Sequence, residues 1–253
     1  MKKIILICLA FLTLTSGSET QHSKKKNNKA KTELKTNFSG IITYYGKVTR
    51  IPDRSKTYAK LHDFEAQFEL YMNSEYTRRI EDYKNLGLSI TITEGIKHDY
   101  YMQTVFSKDG NFVAEATPQE IIDYQLTPKY RKTNSLKMRK VGGKKRIKGF
   151  VCRKVISDIV TEDNIRIQLV AWYAPELYIE GFQIPYFPKL QGIPLVYDTY
   201  NGEHVVTYQA TDIKKKELHN GYFGKPTMVE SINYTDFLLK IQEIGNKKPE
   251  FDF

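Results

Sequence analysis

Residues 147–173, IKGFVCRKVISDIVTEDNIRIQLVAWY, followed after an aromatic loop by QGIPLVYDTY (191–200), Asn201-Gly202 and EHVVTYQAT (203–211), decide the fold. Four runs rich in Val, Ile, Tyr and Thr are separated by turn chemistry, the pattern of successive antiparallel strands. Thr161–Asn164 is a plausible hairpin turn. Asn201-Gly202 is the strongest hairpin signal in the chain, because both residues tolerate the positive φ of a type I′ turn. The run also holds the single Trp, Trp172, and Cys152.

Strand signals continue upstream. Ile41–Val48 is β-branched and aromatic, and Phe64–Met72 sets Phe64, Ala66, Phe68 and Leu70 against Glu65, Gln67 and Glu69, a half-buried strand. Leu88–Thr93, Tyr100–Phe106 and Phe112–Ala116 are further strands, the last two joined at Asp109-Gly110. Asn73-Ser74 reads as a turn leading into a strand at Tyr76–Ile80. Thr117-Pro118-Gln119-Glu120 carries a capping box and opens a short helix stopped at Thr127-Pro128. Lys129–Arg146 reads as a basic connector with one strand near Leu136. Met228–Tyr234 reads as a last strand, and Thr235 or Asp236 as the cap of a helix over Phe237–Ile244. The expected fold is mostly β: a curved antiparallel sheet or open half-barrel with one or two short helices.

The ends point to export. Lys2 and Lys3, the apolar run Ile4–Leu14 and small residues Ser16-Gly17-Ser18 have the order of a secretory signal over residues 1–18. The apolar run is too short to span a bilayer, which takes about 20 residues, and no later segment approaches that length. Cys8 sits inside the apolar run, which fits a lipid-anchor site badly. The expectation is a periplasmic or secreted protein without a lipid anchor, with a Lys/Asn-rich leader over 19–37, one β-rich domain over 38–244 and a tail over 245–253. Beyond the signal only Cys152 remains, so no internal disulfide forms and the core must hold the fold. The signal and leader carry six of the ten surplus positive charges, and no recognition motif accompanies them, which argues against nucleic acid as a partner.

Catalytic signatures are sparse. The five histidines make no His-Glu-x-x-His and no helical ligand pair, and Gly-x-Ser-x-Gly and phosphate-binding glycine loops are missing. No catalytic residue, cofactor or metal ligand is therefore assigned. Cys152 and Arg153 lie next to each other on a strand and so face opposite sides, which makes Cys152 a small packed residue. The loop 174–190 carries Pro175, Gly181, Pro185 and Pro188 among Tyr178, Phe182, Tyr186 and Phe187. It either caps the open end of the sheet or rims a binding site. Trp172, Tyr178, Phe182, Tyr186 and Phe187 are the candidate ligand contacts. Gly149, Cys152, Gly192, Pro194, Asn201 and Gly202 are the structural positions.

Ile147-Lys-Gly-Phe-Val-Cys-Arg-Lys-Val155, Ala171-Trp-Tyr-Ala-Pro-Glu-Leu177 and Gly192-Ile-Pro-Leu195, in that order, resemble the GLPGLI family of exported Bacteroidota proteins. Phe150 replaces the family's Tyr, Ala174 its Thr, and Leu195 stands at its second Gly, so the closest variant is the Gly-x-Pro-Leu one. The resemblance covers about residues 132–228 and implies an exported protein of unknown activity. Related domains imply a sheet like those of lipoprotein carriers, which wrap an apolar cavity. The function expected is a non-enzymatic envelope protein binding an acyl chain or lipoprotein segment on the concave face, with lipid or an envelope protein as partner. The alternatives are a hydrolase of envelope glycan or peptide with a tertiary-assembled site, and an assembly or adhesion subunit using strand edges.

Overall fold

A computed structural model of the chain describes residues 37–50, 65–83, 87–97, 100–117, 119–120, 133–161, 164–184, 186–188, 190–200 and 204–246. The signal, most of the leader, Asn201-Gly202, Pro185 and the helix after Glu120 lie outside the described residues. The strands are β1 (Gly40–Arg50), β2 (Glu65–Met72), β3 (Tyr76–Tyr83), β4 (Leu88–Gly95), β5 (Tyr101–Ser107) and β6 (Gly110–Ala116), then β7 (Thr133–Ile147), β8 (Phe150–Thr161), β9 (Arg166–Ala174), β10 (Ile193–Tyr200), β11 (Val205–Lys215) and β12 (Glu230–Ser231). Helix α1 spans Tyr234–Asn246. All 12 strands form one open sheet in the order β12-β6-β5-β4-β3-β2-β1-β11-β10-β9-β8-β7. Only β12 runs parallel to its neighbour, β6. The fold class expected from sequence is the one observed.

The turns follow local chemistry. The Asn73 side-chain oxygen accepts from the backbone N–H of Glu75 and Tyr76, each at 2.8 Å, which closes the β2–β3 turn. Lys148 and Gly149 have φ of 48° and 86°. Both are positive, as the two-residue β7–β8 hairpin requires. The strands flanking Asn201-Gly202 pair as expected, with Tyr200 opposite Val205. Thr117 and Glu120 make the reciprocal bonds of a capping box.

Three readings need correction. The basic connector is the strand β7, which runs from Thr133 to Ile147 and breaks register between Val141 and Lys144 at Gly142-Gly143. It is the sheet edge, where lysines on both faces cost little and a bulge deters further pairing. The last strand shrinks to Glu230–Ser231, because the helix begins at Tyr234. Its cap is Asn233, whose side-chain oxygen accepts from Asp236 N–H at 2.9 Å.

The sheet is strongly curved. Residues of β4 and β10 line one cavity, although five strand spacings separate them, roughly 24 Å in a flat sheet. Two apolar clusters fill the concave face. The larger joins Ile42, Tyr44, Phe68, Leu169, Tyr197 and Tyr208 with Leu177, Ile179 and Phe187 of the 174–190 loop. The smaller seats Tyr234, Phe237 and Ile241 of α1 on Leu88, Ile90, Tyr101, Val105 and Phe112. On the convex face, Arg78 donates to the carbonyls of Tyr222 and Gly224, and Phe223 stacks on Tyr76. The C-terminal segment therefore crosses the outer face, passes the β6 edge as β12 and lands α1 inside.

Candidate functional site at the seam of the two cores

Between these two fillings a cavity of about 80 Å3 remains, with Phe68, Leu70, Ile96, Phe182, Ile184 and Tyr197 on one side and Ile92 on the other. Arg79 and Glu94 line it as well. Strand alternation puts them there. Arg79 lies opposite Ile92, and Glu94 lies opposite Thr77, so the two are diagonal neighbours on one face.

Arg79 pairs with Glu81 on its own strand. Its guanidinium lies 4.0 Å from the centre of the Phe68 ring and 5.7 Å from that of Tyr208. Tyr83 donates to Glu81. Burial weakens the charge on Arg79, but Glu81 more than restores it, so the guanidinium stays charged. Burial pushes the Glu94 carboxyl up to about 7, against the opposing pull of Arg79. Among the described residues Glu94 makes no hydrogen bond or ion pair, and Arg79 Nε is a buried donor without an acceptor. Beside them Tyr197 and Tyr101 are buried, and burial raises both phenols.

The aromatic candidates separate. Phe182 lines the cavity. Phe187 is fully buried in the larger core, so that part of the loop acts as a cap. Tyr186 is half-buried and donates from its hydroxyl to the Tyr200 carbonyl at 2.7 Å. Tyr178 bridges to Asn37, and its carbonyl accepts from Phe38 N–H. Trp172 lies on the outer face, opposite Lys154 and Val196 in register and with the Lys154 ammonium 5.7 Å from its ring centre.

The structural positions are as follows. Cys152 is fully buried, and burial is the main cause that pushes its thiol up to about 11. Gly192 has φ of 147°, and a Cβ there would lie 2.3 Å from the Ala174 carbonyl oxygen. The Pro194 carbonyl accepts from the buried Tyr44 hydroxyl at 2.7 Å. No cluster of His, Cys, Asp and Glu able to hold a metal occurs among the described residues, and no described helix is long and apolar enough to cross a membrane.

Sequence reasoning missed Arg79 and Glu94, because charged residues ordinarily read as solvated. A signal for Glu94 was present: Leu88, Ile90 and Ile92 set a period of two whose next member is Glu94.

No protein-family model matches the sequence, and no curated protein matches it. Two solved structures are similar in chain path. An uncharacterized conserved protein from Thermus thermophilus is 11% identical with a TM-score of 0.42, covering 79% of this chain and 93% of its own. A domain from Vibrio parahaemolyticus, described as a "putative outer membrane lipoprotein-sorting protein domain", is 8% identical with a TM-score of 0.31, covering 74% of this chain and 89% of its own. Identities this low give no residue-to-residue correspondence, so the site stands on its own geometry: a small, mostly apolar cavity at the seam of two cores, with the Arg79 guanidinium and the Glu94 carboxyl in its wall.

Proposed function

We propose that the protein is an exported, non-catalytic envelope protein that binds the end of an apolar ligand in the seam cavity. The ligand is the tip of an acyl chain or an apolar side chain of a lipoprotein segment. One observation carries this reading: on a concave face that holds two apolar cores, the wall from Phe68 to Phe182 leaves room, and it is mostly apolar. The volume sets the scale. A water molecule needs about 10–15 Å3 measured this way, so the cavity takes roughly five to eight non-hydrogen atoms. That accommodates the end of a chain and not its length. The export half of the proposal rests on the Lys2–Ser18 signal, and membership of the GLPGLI family on the order of its three sequence elements.

Two measurements test it. Native mass spectrometry of protein purified from its own envelope should show a bound apolar mass. Titration with 1-hexanol, followed by NMR, should shift Ile92, Phe182 and Ile184 first. Absence of both a bound mass and a localised shift would refute the proposal.

A further inference from the structure

We infer that the group this cavity takes at its charged wall is an alkylammonium, so that the ligand's inner end is an amine and not a carboxylate or a neutral alcohol. The inference rests on the proposed use of this cavity for binding and replaces its apolar tip with a short methylene chain that ends in an ammonium.

The argument is a charge count on one face. Arg79 and Glu94 are the charged residues in the cavity's lining, and Glu81, outside that lining, pairs with Arg79. Arg79 and Glu81 neutralise each other, with Arg79 held further by the faces of Phe68 and Tyr208. Glu94 is left over. It lines the cavity and lacks any hydrogen bond or ion pair among the described residues. Among the described residues, Tyr101 lies directly opposite it on β5 and Tyr197 lies across the cavity, both phenols. The 181–184 stretch contributes Gln183 and no charge to the lining.

A carboxylate entering here would meet the Glu94 carboxylate and a guanidinium already paired with Glu81. An ammonium would meet the Glu94 carboxylate, which has no hydrogen bond or ion pair among the described residues. Glu94 is half-buried, and in such a partly dehydrated site the sign of the remaining charge favours one head over the other, because a charge withdrawn from water is less costly when paired. The apolar side fits the same molecule. Phe68, Ile92, Phe182 and Ile184 would surround a short methylene chain, and the volume suits about five to eight atoms. The chemistry is shared by a free alkylamine and by the side chain of a lysine presented on a peptide.

The test uses the full exported chain at pH 8, where the carboxyl is ionised and the amine protonated. Hexylamine, 1-hexanol and hexanoate are titrated separately by NMR, with Nα-acetyl-lysine N-methylamide as the peptide-source arm. Hexylamine or the lysine amide should bind at least about tenfold tighter than hexanol, and hexanoate weakest of all. Glu94→Gln should remove that advantage, so that the amines bind no tighter than hexanol. Whichever of the two amines binds more tightly identifies the source. Hexanol or hexanoate binding as well as both amines would overturn the inference while leaving the cavity a binding site. Failure of all four probes would overturn the binding reading as well. The comparison of probes on the unaltered protein holds even if the Glu94→Gln variant folds poorly.

Discussion

Replacing Glu94 with Gln should flatten the pH dependence of stability in a defined window. Burial lifts the Glu94 carboxyl from 4.5 to about 7, so between those values the unfolded chain has released this proton and the folded one has kept it. With more protons bound in the folded state, stability falls as pH rises. The contribution is fully present below pH 4.5 and lost by the time pH passes 7. At 1.36 kcal/mol per pH unit, the loss across the window is about 3 kcal/mol. Urea unfolding at half-unit steps from pH 4.5 to 8.5 measures it directly. Glu94→Gln keeps the shape and removes the titration, so subtracting the two curves cancels the histidines and surface carboxylates. The difference should grow by about 3 kcal/mol toward high pH, the variant being the more stable there. Parallel curves, or a variant less stable at pH 8 than at pH 5 relative to wild type, would refute the account of Glu94 as a half-buried acid without a hydrogen-bond or ion-pair partner among the described residues.

Other outcomes follow from neighbouring features. Gly192→Ala sets a Cβ against the Ala174 carbonyl oxygen at a left-handed φ, and should lower unfolding free energy by about 2 kcal/mol or more in urea. Cys152 is enclosed, with its thiol pushed up to about 11; labelling by a disulfide reagent at pH 8 should occur only as fast as the protein unfolds in added urea. Asn233→Ala removes the cap on α1 and should cost about 1 kcal/mol, read as a lowered denaturation midpoint. Trp172 lies on the outer face beside Lys154, so its emission should stay unchanged when hexylamine fills the seam cavity, while Tyr197 and Ile92 resonances move.

How much of this could be read from the sequence depends on what each residue contributes. Hairpins announced by Asp109-Gly110 and Asn73-Ser74 are legible because turn geometry is local. Strand β7 is not, since Lys137, Arg139, Lys140, Lys144, Lys145 and Arg146 mask the alternation that an edge strand does not need. The loop 174–190 was legible as sticky, but only tertiary structure shows that Phe187 caps a core while Phe182 reaches a cavity. The site itself was hidden because it is assembled by curvature. Nothing in YTRRIEDY or LSITITEG says that β10 will bend round to face them. The in-phase position of Glu94 after Leu88, Ile90 and Ile92 was the one local clue.

The strand order carries a further consequence for how the chain acquires its shape. Neighbours β1 to β6 and β7 to β11 are each consecutive in sequence, so each half is a meander of strands adjacent in the chain. The joint between β1 and β11 is different: it sets Thr43 beside Asp212, nearly the whole described chain apart. Tyr44 to Pro194, Phe68 to Tyr208 and Arg79 to Tyr208 all reach across that joint. The two meanders can form early and separately, but the larger core and the charged seam exist only after the halves dock. Docking of the halves is therefore the step that builds the site, and a chain arrested before it would present the inner faces of both halves, Tyr44, Phe68 and Tyr208 among them, to solvent.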